Sequence, residues 1–130
     1  RKNDFTKYWN ELLDLTGCDY VALDAFFLVF KNNQYNVPEN FVSLKEHRAT
    51  GFNIFYKRFF DRFNTINDLE KSINREPIDM SFTHNPLFIN YTPKEQICSQ
   101  IVSKYSSTAE RDTSDYIQYY KIAEEKLKML

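Results

Sequence analysis

Apolar residues are spaced differently along the chain, and each spacing predicts a different element. From Asp4 to Thr16, Phe5, Tyr8, Trp9, Leu12, Leu13 and Leu15 share one side of a helical wheel, with Lys7, Asn10, Glu11 and Asp14 opposite. This reads as an amphipathic helix, capped by Asp4 and closed by Gly17. The next run, Tyr20 to Phe30, has no period: ten of its eleven residues are apolar, and only Asp24 is not. Its length and its Ala and Leu content predict a core helix reaching about Asn33, started by Asp19. The short link Thr16-Gly17-Cys18 would set these two helices antiparallel.

After a loop from Asn32 to Pro38, Ser43 and Glu46 have capping-box spacing. They predict a long helix over about 44–63, weakened at Gly51. Its second half would carry an aromatic face of Phe52, Phe55, Tyr56, Phe59, Phe60 and Phe63. A short helix bearing Ile66, Leu69 and Ile73 follows. The helical period then disappears. Ile78, Met80 and Phe82 alternate, as do Leu87, Ile89 and Tyr91, which predicts a small β-hairpin or extended strap around residues 77–91.

Thr92-Pro93-Lys94-Glu95 opens a further predicted helix. Thr113 or Ser114 would start the last one, with Tyr116, Tyr119, Tyr120, Ala123, Leu127 and Leu130 on one side. Ile122 and Met129 fall off that side. The expected fold is therefore mainly α: a compact bundle of five to six helices with one small β insertion, residues 1–130 forming a single domain. The chain begins at Arg1, and the expectation is that it is excised from a longer protein.

Composition supports a core rich in rings. Twelve Phe, nine Tyr and one Trp supply large buried area per residue. Seventeen basic and eighteen acidic side chains nearly cancel, so no global field draws in nucleic acid or an anionic membrane. No apolar run approaches the roughly 18 residues of a membrane span. Cys18 and Cys98 have neither zinc nor redox spacing; two buried thiols favour an intracellular setting, cytoplasm or nucleus.

The chemistry-bearing residues are sparse. His47 lies in a charged segment expected to be solvated, and His84 lies in the proposed turn. Cys18, Cys98, His47 and His84 match no metal motif, and no phosphate-cradling loop or nucleophile motif is present. Asp24, inside the apolar run, needs a charged partner or a polar opening. These observations predict a non-catalytic domain without cofactor or metal. The expected activity is macromolecular interaction with another protein, through Tyr119, Ile122 and Met129 on the last helix. The alternative is a winged-helix-like, nucleic-acid-binding domain that uses Lys57, Arg58 and Arg62 on the basic face of the 44–63 helix.

Overall fold

The computed structural model describes residues 6–49, 51–65, 80–99 and 114–130. It overturns the helical bundle. The centre is a five-stranded mixed sheet in the order β2-β3-β5-β1-β4. The strands are β1 (Tyr20–Ala22), β2 (Phe26–Phe30), β3 (Phe41–Arg48), β4 (Asn53–Phe55) and β5 (Asn90–Pro93). The helices are α1 (Thr6–Asp14), α2 (Lys57–Thr65), the single turn α3 (Met80–Thr83) and α4 (Tyr116–Lys128). β1 and β5 are parallel; every other pair is antiparallel.

The run Tyr20–Phe30 is thus two strands and not a helix. Its β-branched and aromatic residues suit a pleated surface. It is continuously apolar because β1 is covered on both faces, as central strands flanked by helices are. Tyr20 and Ala22 enter one core with Leu44, Phe59, Phe82, Phe88, Tyr120 and Leu127. Val21 and Leu23 enter a second core with Tyr8, Leu12, Phe41, Tyr91 and Ile97. So α1 covers one face, while α2, α3 and α4 cover the other.

Leu23–Ala25 carry the chain from β1 to β2, although β5 and β3 lie between those strands. Four Cα steps span at most about 14 Å. Three strand spacings also need about 14 Å, before any shift along the strands. The sheet must therefore curl, and β3 is where it does so. Phe41–Leu44 pair with β5, whereas Leu44–Arg48 pair with β2. Between the two, the register skips Lys45, a bulge that bends the strand. The bulge also lets Leu44 and His47 turn to the same core.

Other expected elements change too. The predicted 44–63 helix is β3, β4 and only then α2. Ala49 takes φ 78 directly after β3, a left-handed turn that no helix continues through. Ser43 is no cap; its hydroxyl lies 3.4 Å from the Asn90 carbonyl oxygen across the sheet. In place of the hairpin, the described residues 80–91 hold α3 and the start of β5. Thr92 and Pro93 end β5, and no helix forms over 94–99. The short helix expected around Ile66–Ile73 lies outside the described residues. The first and last helices stand where expected, with α1 turned so that only Tyr8 and Leu12 are buried. Trp9 and Leu13 are exposed. Gly17 is not in a left-handed cap; a side chain there would meet the Tyr91 hydroxyl at 3.0 Å.

No helix among the described residues is long and apolar enough to cross a membrane.

Candidate functional site

Of the three residues expected to bind protein, Tyr119 and Ile122 lie on α4 and Met129 caps its C-terminal end. Tyr120, Ala123 and Leu127 face the core. Ile122 and Met129, two turns apart, point away from it and are 46% and 85% exposed. Tyr119 lies at the border. Its ring packs on Phe26 at 5.5 Å and its hydroxyl donates to the Asp115 carboxylate at 2.8 Å.

The structure adds a fourth residue that the sequence reading missed. Phe27 has φ 52, a left-handed conformation that is rare and strained for a bulky side chain. The pairing of β2 with β3 slips by one residue at this point, so Phe27 occupies a bulge. Its ring is turned out of the core, 47% exposed, and lies 4.5 Å from the ring of Tyr119. Phe27 and Tyr119 thereby form one apolar surface across β2 and α4, and exposed Ile122 follows Tyr119 by about one turn of the helix. Beside them, the Lys126 ammonium donates to the Leu28 carbonyl at 2.5 Å and lies near the Phe30 ring.

Lys57, Arg58 and Arg62, the nucleic-acid candidates, do share α2. They line an open hollow of about 550 Å³ together with Asp61. Their charges are mostly engaged inside the protein. Lys57 pairs with Asp61 at 2.6 Å, one turn along. Arg58 and Arg62 both reach Asp19 Oδ1, at 3.3 and 3.2 Å, and the Asp19 carboxylate is fully buried. Its other oxygen accepts the Ile89 main-chain N–H at 2.6 Å. Three cations thus meet two carboxylates, leaving one net positive charge on this face. Asp19, expected to cap a helix, instead ties α2 to the starts of β1 and β5. A trace of this was legible: Lys57–Asp61 pair at i,i+4 and leave Arg58 and Arg62 stacked one turn apart, aimed at a common point.

The histidines are separated in role. His47 is fully buried, not solvated. Its Nδ1 is 3.2 Å from the Arg48 carbonyl, which can only accept, so Nδ1 carries the proton. Its Nε2 then accepts from the Tyr20 hydroxyl at 2.8 Å. Burial pushes His47 down to about 4, and the nearby His84 adds to the effect, against the Arg48 hydrogen bond. His84 contacts Thr83 Oγ1 at 2.9 Å and stands 3.9 Å from Glu46. Asp24 is buried in the β1–β2 link. Neither Asp24 nor a histidine lines the α2 hollow. Among the described residues, no three His, Cys, Asp or Glu side chains gather as a metal site.

Neither Cys18 nor Cys98 is in a disulfide. The Cys98 amide bonds the Leu23 carbonyl, just past the opposite end of β1 from Cys18.

In comparison with known proteins, no protein family, no curated protein and no solved structure matches this chain.

Proposed function

We propose that the chain is a non-catalytic protein-binding domain whose contact surface is Phe27, Tyr119, Ile122 and Met129. The observation that carries this is Phe27. A left-handed bulky residue costs about 1–2 kcal/mol, and here the strain turns a ring towards solvent instead of into the core. The ring packs on Phe26 at 4.9 Å and on Tyr119 at 4.5 Å yet stays half-exposed, and strain of this kind clusters at functional sites. Exposed aromatic and Met side chains are also the types enriched where proteins meet. The partner that fits is a protein presenting its own apolar side chains, rimmed by groups that match the charged flanks Lys121 and Glu125.

The nucleic-acid alternative has less behind it, because Arg58 and Arg62 are committed to Asp19.

The test is affinity capture with the folded chain and two surface variants, Ile122→Lys and Met129→Lys. A specific partner retained by the parent chain and lost from both variants, with circular dichroism unchanged, supports the reading. The same partner retained by both variants overturns it.

A further inference from the structure

The two edges of the sheet differ. β2 is closed by the Phe27 bulge and by Lys126, which takes a main-chain carbonyl; bulges and lysines are usual ways to block an edge. β4 has neither. Its sequence is Asn53-Ile54-Phe55, without charge or proline.

Its pairing with β1 decides which main-chain groups remain. Leu23 donates to the Phe52 carbonyl at 3.0 Å, and Tyr56 donates to the Asp19 carbonyl at 3.1 Å. In an antiparallel ladder, bonded and non-bonded pairs alternate. Ile54 therefore also points its N–H and C=O towards β1, opposite Val21. Asn53 and Phe55 point theirs outward, away from the sheet.

We infer that this edge pairs with the same edge of a second copy of the chain, antiparallel and centred on Ile54. The register favours a second copy because it satisfies itself. Asn53 falls opposite Phe55 of the partner subunit, and the reverse, so each outward donor meets an outward acceptor. No charged side chain lies between Phe52 and Tyr56 to repel its own copy. The exposed rings of Phe52 and Phe60 flank the strand, and Phe60 stands 6.2 Å from Phe55. They supply apolar area that a three-residue ladder lacks, as a stable interface requires. The result is a twofold dimer in which the two sheets become continuous. This contact is separate from the α4 face and does not depend on it.

Sedimentation and disulfide trapping test this. Two Ile54 residues facing each other form a non-bonded pair with Cα atoms about 4.5 Å apart, within disulfide reach. In a Cys98→Ser background, Ile54→Cys should cross-link to a covalent dimer under mild oxidation, while Cys98→Ser alone, with Cys18 buried, should not. The parent chain should sediment as a dimer at high micromolar concentration, and Phe55→Lys should return it to a monomer with unchanged circular dichroism. A monomeric parent chain overturns the inference. So does a folded Ile54→Cys chain whose new thiol titrates freely yet never cross-links. If the β4 amides become protected only when a different protein is added, the edge belongs to that protein and not to a second copy.

Discussion

Asp19 and Ile89 hold each other twice: the Asp19 amide donates to the Ile89 carbonyl at 2.7 Å, and the Ile89 amide donates to the Asp19 carboxylate at 2.6 Å. This double link sits where β1 meets the start of β5, and Arg58 and Arg62 close on it from α2. Removing one partner of a buried pair leaves the others uncompensated. Asp19→Ala should cost about 3–5 kcal/mol, read from the urea midpoint. Asp19→Asn keeps an acceptor for Ile89 and should cost less. A loss under about 1 kcal/mol for Asp19→Ala would mean that the carboxylate is not the anchor.

His47 makes stability depend on pH. Its ordinary value is 6.5 and burial lowers it to about 4 in the fold. Between those values the unfolded chain binds a proton that the folded chain does not. The contribution is therefore complete above about pH 6.5 and is lost as pH falls towards 4. The total is on the order of 3 kcal/mol, with about 2 kcal/mol gone by pH 5. Denaturation at pH 7, 6 and 5 should show this slope in the parent chain, and His47→Gln should flatten it. An unchanged slope in the variant would place the titrating group elsewhere.

Ala49, at φ 78, is a non-glycine residue in the left-handed region at the end of β3. Glycine removes a penalty of about 1–2 kcal/mol there and returns part of it through unfolded-chain entropy. The Ala49 methyl is also buried in the core, and its loss costs about 0.8 kcal/mol more. Ala49→Gly should therefore change stability by less than about 1 kcal/mol, whereas Ala49→Val, β-branched at a positive φ, should lower the thermal midpoint by several degrees. A midpoint unchanged by Ala49→Val would contradict the assigned backbone.

The two thiols should react at different rates. Cys18 is buried, and burial pushes its thiol up to about 12, with Asp19 adding to the effect. Cys98 is partly exposed. Since the thiolate is the reactive form, alkylation at pH 8 should label Cys98 first and Cys18 only on unfolding. Equal labelling would show that the β1 start is open to solvent.

How much of this was readable from the sequence follows a physical divide. α1 and α4 were legible because a helix writes its own period, and Ile122 and Met129 lay off the apolar stripe of α4 as solvent-facing residues do. The sheet was not, because its pairings are remote. Ser43 meets Asn90 across 47 residues, and nothing local to Ser43 distinguishes that contact from a capping box. The run Tyr20–Phe30 has no period, so composition had to decide. Its Val and Phe residues were the better guide than its Ala and Leu. Phe27 could not be seen at all, since a bulge is a property of two strands and not of one.

Phe27 also offers the most direct test of the proposed surface. If its ring is held outward for a partner, Phe27→Gly relieves the backbone and loses a half-exposed ring, changing stability by less than about 1 kcal/mol. Titration of the captured partner should then show affinity reduced at least tenfold. Unreduced affinity, together with a stability loss above about 2 kcal/mol, would make Phe27 part of the scaffold and contradict the account.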